Sequence, residues 1–131
     1  MKSIRSTFAL LCLFSACFTG CGQDGPVRYS VSGTITMGDG KPVPAGEIIF
    51  EPDGSMGNSG PGSTAQIKDG KFSVAKDQGI VGGKYNVLIS PFDGIPFGES
   101  LQGRPLVKVQ YSEKVELPAK NSTHDFKVVS K

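Results

Sequence analysis

Residues 31–50 read Val31-Ser-Gly-Thr-Ile-Thr-Met-Gly-Asp-Gly-Lys-Pro-Val-Pro-Ala-Gly-Glu-Ile-Ile-Phe50, and this stretch decides the fold. The odd positions from Val31 to Met37 carry apolar residues or glycine, while the even positions carry serine or threonine. A period of two is typical of a half-buried β-strand. Glycine and proline at 38–44 favour a tight turn, because glycine accepts positive φ and proline removes a backbone donor. Alternation resumes at 46–50, so the stretch predicts two strands joined by a turn.

Later segments repeat the strand signal. A hairpin is predicted at 64–74, where Asp69-Gly70 separates two alternating runs and suits a two-residue type I′ turn. Residues 84–90 predict a central strand, 106–117 hold one or two short strands, and 123–129 predict a closing strand. We expect the inward-facing side chains of these segments to form the core: Val31, Ile35, Ile48, Phe50, Ile67, Phe72, Val74, Tyr85, Val87, Ile89, Phe126 and Val128.

The composition agrees with an all-β domain. The 131 residues include 18 glycines and nine prolines but no tryptophan. Apolar residues do not recur at helical spacing after the N-terminal segment, which favours short strands joined by turns. A chain of this length buries enough surface to fold without a metal or a disulfide.

Residues 1–20 resemble a bacterial lipoprotein signal peptide. A short basic start precedes an apolar core at 8–14 that is too short to span a bilayer. The sequence Phe18-Thr-Gly-Cys21 is similar to the lipobox of that class, in which the cysteine is acylated and becomes the first mature residue. We therefore expect lipidation at Cys21. A second frame that ends at Cys17 also fits, and an ordinary secretory signal or an uncleaved anchor is the remaining alternative.

This reading divides the chain into a signal peptide (1–20), a lipidated cysteine with a polar tether (21–27) and a folded domain (28–131). Two or more acyl chains on one residue hold a protein stably at a membrane, so the membrane is an expected partner. Gly22 stands where enteric lipoproteins that stay in the inner membrane carry aspartate. We therefore predict an envelope protein that is anchored in the outer membrane and faces the periplasm. Anchoring in the inner membrane is the alternative.

Short motifs of glycine or proline with inward apolar residues run through 28–129. They are Val31-x-Gly33-x-Ile35, Gly40-x-Pro42, Gly46-x-Ile48-x-Phe50, Gly70-x-Phe72 and Gly83-x-Tyr85-x-Val87-x-Ile89. Together they resemble the carboxypeptidase regulatory-like domain, and short bacterial lipoproteins of this kind have the same layout. The resemblance implies a transthyretin-like (Ig-like), seven-stranded Greek-key β-sandwich. Since its motifs are core and turn positions, it implies a fold and no catalytic residue.

Several function classes are disfavoured. Without the signal peptide, the chain has twelve basic and twelve acidic residues. Nucleic-acid binding needs a clustered basic surface, so it is disfavoured. The one histidine, His124, is expected to be a half-buried packing residue. Residues 53–62 read as a flexible surface loop whose single carboxylate offers calcium too few ligands. No Gly-x-Ser-x-Gly motif occurs. We predict no catalytic residue, no metal and no cofactor.

The irregular excursion at 92–105 contains the candidate contact residues Ile95, Phe97 and Leu101. Three apolar side chains in such a segment either cap the open end of the domain, which is the commoner outcome, or form an exposed patch for a partner. The predicted function is a non-enzymatic, lipid-anchored module that binds or spaces envelope components, with an envelope protein or a glycan as the partner.

An envelope enzyme is the alternative hypothesis. Its polar cluster would be Asp93, Glu99 and Arg104, all in the same excursion. This hypothesis requires the three side chains to converge on one concave pocket, whereas scattered exposure favours the binding module.

Overall fold

The computed structural model describes residues 25–129. It contains eight strands in that range: β1 Val31–Met37, β2 Ala45–Pro52, β3 Ser63–Lys68, β4 Lys71–Val74, β5 Gly83–Phe92, β6 Tyr111–Leu117, β7 Ser122–Thr123 and β8 Phe126–Val128. Two short 3₁₀ turns, Gly54–Met56 and Lys76–Gln78, lie in the connections. The all-β prediction is confirmed. The predicted signal peptide and Cys21 lie outside the described residues.

None of the helical turns between residues 25 and 129 has the length and hydropathy needed to cross a bilayer.

The strands form one curled, mixed sheet in the order β6-β5-β2-β3-β4-β1-β7, and β8 also pairs with β1. Strands β7 and β8 run parallel to β1, while the other pairs are antiparallel. Strand β5 lies between β2 and β6, which confirms its prediction as a central strand.

The hairpin between β3 and β4 makes the sheet curl. Asp69 and Gly70 have φ values of 49° and 74°, as the predicted type I′ turn requires. Lys68 lies opposite Lys71, also as predicted, but the strands separate beyond this pair: β3 continues along β2, and β4 continues along β1. A contact from outside the hairpin adds support to the turn, because the Gly70 N–H donates to the Val43 carbonyl at 2.7 Å.

Every side chain predicted for the core is buried. The ring centroids of Phe50 on β2 and Phe126 on β8 are 6.3 Å apart, although these strands do not pair. Phe72 on β4 lies 5.8 Å from Phe50 and 5.9 Å from Phe126. The three rings therefore fill the space around which the sheet curls.

Five further core side chains were missing from the predicted core: Val43, Ala65, Ile80, Val115 and Leu117, all buried. Val43 is flanked by prolines and reads as part of a turn, yet its N–H donates to the Ile35 carbonyl at 3.0 Å. Val115 and Leu117 in β6 alternate with the charged residues Lys114 and Glu116, so the local sequence gives only a weak apolar signal. These residues depend on tertiary contacts that a local pattern does not contain.

The closing strand is interrupted, which corrects the prediction of one strand over 123–129. Between β7 and β8, the Asp125 carboxylate accepts hydrogen bonds from the Thr34 N–H (2.7 Å) and hydroxyl (2.8 Å). Gly33 permits the break, since a Cβ there would stand 1.8 Å from the His124 carbonyl oxygen. The His124 ring is half-buried and lies 4.6 Å from the Phe126 ring, as expected for a packing residue.

The segment 106–110 has bends rather than strand pairing, so 106–117 contributes one strand, β6.

The loop at 53–62 is also different from its prediction. Asp53 is buried, caps the first 3₁₀ turn and receives the Lys114 ammonium at 3.1 Å. Hydrogen bonds from Ser55 and then Lys114 lower the pKa of Asp53. Asn58 is buried as well, and its side-chain amide donates to the Lys84 carbonyl at 2.9 Å. Two buried polar side chains thus attach this loop to β5 and β6, so it is a packed connection.

Candidate partner-contact surface

The excursion between β5 and β6 is an ordered, projecting loop. It leaves the sheet after Phe92, which forms a bridge with Pro105 where the chain returns. The Asp93 N–H donates to the Arg104 carbonyl at 3.0 Å, so the two arms of the loop stay paired beyond the end of β5. From here on, the name excursion is kept for residues 93–104, which lie between the paired residues Phe92 and Pro105.

The Asp93 side chain holds the base of the excursion together. Its Oδ1 accepts hydrogen bonds from the Ile95 N–H and the Arg104 N–H, both at 3.0 Å. These two donors, Ile95 first, lower the pKa of the Asp93 carboxyl. Gly103 is needed beside it: its φ is 91°, and a Cβ there would stand 1.9 Å from the carboxylate oxygen.

An Asp93→Ala variant is therefore expected to loosen the excursion. The substitution removes the acceptor of two backbone N–H groups in its two arms. Hydrogen exchange followed by NMR should become faster at the Ile95 and Arg104 amides, while the amides that pair β5 with β2 stay protected. Asp93→Asn is the matched control, because its amide oxygen still accepts these bonds. Unchanged exchange in the alanine variant would contradict this role.

The same contact has a defined pH dependence. The Asp93 pKa is lowered from 3.8, so ionised Asp93 stabilises the excursion at pH above 3.8 and loses this effect as the pH falls through its folded-state pKa. Exchange at the two amides, corrected for the intrinsic rate, should accelerate below about pH 3.8 in the wild type. The asparagine variant should not show this step. A wild type without the acid step would contradict the assignment.

The apolar side chains at the far end of the excursion are exposed. The exposed fractions are 68% for Ile95, 57% for Phe97 and 86% for Leu101. The Phe97 N–H and carbonyl exchange hydrogen bonds with Ser100, which closes the loop and leaves these side chains outside. The expectation that they cap the domain is wrong, and the alternative expectation of an exposed patch describes them. We call Ile95, Phe97 and Leu101 the tip.

Two side-chain contacts keep the excursion in place. The Arg104 guanidinium lies 4.0 Å from the centroid of the Phe97 ring, a cation–π geometry. Lower down, the Gln102 amide donates to the Gln66 side chain of β3 at 2.7 Å. The base is thus bonded to the sheet while the tip projects. The sequence contains no local signal for the two contacts, since each joins positions that are distant along the chain or across the loop.

The proposed enzymatic cluster is committed to other contacts. Asp93 accepts backbone hydrogen bonds, Arg104 stacks on Phe97, and Glu99 is exposed. In the part of the chain that the structure describes, no three His, Cys, Asp or Glu side chains are grouped so that they could hold a metal ion. The arrangement offers apolar contact area rather than an acid–base or nucleophilic pair.

A shallow apolar groove lies at the same end of the sheet. Its lining includes Met37, Pro42, Pro44, Leu106 and Val129. The base of the excursion reaches this groove, because Gly94 lies against Pro44. Groove and tip together give this end of the domain a larger apolar surface than the tip alone.

The tip and the first described residues lie at opposite ends of the sheet. Tyr29 forms a bridge with Ile80, three residues before β5 begins, whereas the excursion follows the last residue of β5, Phe92. A ten-residue strand spans roughly 30 Å. The described N-terminus therefore leaves the domain about that far from the excursion.

No protein-family model matches this chain, and the search of curated proteins found no significant match. The interpretation of the tip rests on its geometry and chemistry.

Proposed function

We propose that this protein is a lipid-anchored module of the bacterial cell envelope that binds a partner protein through the tip and has no enzymatic activity. One observation carries the proposal: three large apolar side chains are exposed on a loop whose base is hydrogen-bonded to the sheet. Exposed apolar side chains grouped on an ordered loop are typical of interaction sites.

The proposed fold is a Greek-key β-sandwich of the carboxypeptidase regulatory-like type. Since β3 and β4 separate after one residue pair, the strands fall into two groups, β6-β5-β2-β3 and β4-β1 with β7 and β8. The Phe50 and Phe126 rings, one from each group, meet at 6.3 Å, which supports two facing layers. The glycine motifs quoted above give the family resemblance.

The proposed anchor is Cys21, with the outer membrane as the site of attachment and the domain in the periplasm. The lipobox-like sequence and the polar tether support this assignment. Because the described N-terminus lies at the end of the sheet opposite to the excursion, anchoring through Cys21 would direct the tip away from the membrane that holds the lipid. The tip is then available to a partner rather than to the lipids around the anchor.

The chemistry of the tip favours a protein partner over a glycan. Protein interfaces are enriched in aromatic side chains and arginine, and the stacked pair of Phe97 and Arg104 supplies both at one point. Ile95 and Leu101 add aliphatic area with no hydrogen-bonding group for a sugar. An envelope enzyme is less well supported, since Asp93 and Arg104 are used to build the loop.

Site-specific photo-crosslinking in the native envelope tests the proposal. A photoreactive phenylalanine analogue at position 97 of the full-length chain should yield one discrete adduct that protease digestion removes. The matched control carries the analogue at Lys76, an exposed position near the tether end. Equal adducts at both positions, or none at 97, would contradict partner binding by the tip. An adduct whose added mass resists protease and is removed by glycosidases would instead identify a glycan as the partner.

A further inference from the structure

Strand β6 forms a free edge of the sheet. It is the last strand in the order, and across residues 25–129 it pairs with β5 alone. All seven of its residues are in strand conformation, and its proline, Pro118, comes after the strand ends. An uninterrupted edge strand of seven residues leaves backbone N–H and C=O groups free to pair with another strand. By comparison, the edge strand β8 has three residues.

We propose that the edge of β6 pairs with β6 of a second copy of this chain, antiparallel and centred on Val115. The pairing would join the two sheets about a two-fold axis, as in symmetric dimers. This inference is independent of the tip and of its partner.

The direction of the backbone groups shows which residues are available. In an antiparallel sheet, successive residues point their N–H and C=O groups to opposite sides of the strand. The Lys84 carbonyl accepts from the Asp53 N–H on the β2 side, so the groups of Tyr85 point to β6. Its partner across the ladder, Val115, points back to β5. The backbone groups of Lys114 and Glu116 therefore point away from the sheet, where a second strand can reach them.

The side chains select the register. A two-fold axis at Lys114 or at Glu116 would place like charges directly opposite each other, and an axis at Glu113 would oppose two carboxylates on the other face. An axis at Val115 places Lys114 opposite Glu116 of the second copy, twice by symmetry. The Lys114 ammonium also bridges to Asp53 of its own chain at 3.1 Å, so it would lie between two carboxylates. In this register the outward backbone groups of Lys114 and Glu116 also pair with each other across the axis. The same register therefore satisfies the backbone hydrogen bonds and the side-chain charges.

The neighbouring charges fit the same arrangement. In β5, Lys84 lies opposite Glu116 and Asn86 lies opposite Lys114. The joined sheet would therefore carry rows of Lys84, Glu116, Lys114 of the second copy and its Asn86, with no like charges adjacent. On the inner face, Glu113 already accepts a hydrogen bond from the Tyr111 hydroxyl at 3.0 Å. Covering the edge would leave that carboxylate hydrogen-bonded.

A charge-swap variant tests this register. The test uses a shortened chain of residues 25–131, without the signal peptide and Cys21. It retains every core side chain of the described residues, since these lie between Val31 and Val128. Sedimentation velocity over a concentration series should show a monomer–dimer equilibrium for the wild type. Glu116→Lys combined with Lys84→Glu keeps an opposite-charge pair within the β5–β6 ladder and leaves the Lys114–Asp53 bridge in place. This variant should raise the dissociation constant roughly tenfold or more, because it creates two like-charge pairs across the axis.

Lys127→Glu, on β8 at the other side of the sheet, is the control for a charge reversal away from this edge and should leave the dissociation constant unchanged. Circular dichroism and thermal melting of each variant establish that it is folded. A wild type that stays monomeric at the highest soluble concentration would overturn the proposal. A folded variant with Glu116→Lys and Lys84→Glu that dimerises as tightly as the wild type would overturn the register and the proposal with it.

Discussion

A Cys21→Ala chain is expected to stay at its precursor size and to carry no fatty acid. In the lipoprotein class that residues 1–20 resemble, the cysteine sulfur is acylated before the signal peptide is removed, so its loss blocks both steps. Metabolic labelling with a fatty acid, followed by gel electrophoresis of the membrane fraction, measures both outcomes. The effect should be all-or-none.

Cys17→Ala is the matched control, because it removes the other candidate cysteine four positions earlier. This variant should mature and label like the wild type. If Cys21→Ala still matures and labels while Cys17→Ala does not, the acylated residue is Cys17. The tether would then begin four residues earlier than proposed.

Phe50→Ala should lower the free energy of unfolding by about 3–5 kcal/mol. Phe50 is fully buried, and its ring contacts the Phe72, Tyr85 and Phe126 rings at centroid distances of 5.8, 6.5 and 6.3 Å. Truncation leaves a cavity at the point where β2, β4, β5 and β8 meet, and it also removes the aromatic contacts. Urea unfolding at 25 °C measures the change.

Phe50→Leu is the control for this substitution. Leucine retains much of the buried volume, so the loss should be clearly smaller than with alanine. A change below about 1 kcal/mol for Phe50→Ala would mean that the three aromatic neighbours do not depend on this ring. That result would contradict the description of Phe50 as one of the three rings that fill the space inside the curled sheet.

The features that could be predicted from sequence are those set by neighbouring residues. Asp69-Gly70 determines its own turn, because both positions adopt positive φ. Alternation placed Tyr85, Val87 and Ile89 correctly in the core, since a side-chain period of two assigns the face of each strand residue. The excursion was likewise found from composition, as a segment without strand alternation.

The features that could not be predicted depend on residues far apart in sequence. The break in the closing strand requires Gly33 next to His124. Asp53 can be buried because its carboxylate accepts hydrogen bonds from Lys114 and from the Ser55 N–H of the 3₁₀ turn. Whether the tip caps the domain or projects from it depends on Asp93 bonding to Arg104 across the loop. Each of these contacts joins a side chain to a backbone or charged group that local patterns do not specify.

The most direct measurement compares a tip variant, with Ile95, Phe97 and Leu101 all replaced by serine, with the wild type in both thermal melting and binding to the crosslinked partner. A control variant carries serine at Val27 and Met56, which are exposed near the tether end. The account predicts that the melting temperature of the tip variant changes by less than about 5 °C, while binding weakens at least roughly tenfold and the control binds normally. A large drop in melting temperature, or unchanged binding, would contradict a recognition role for the tip.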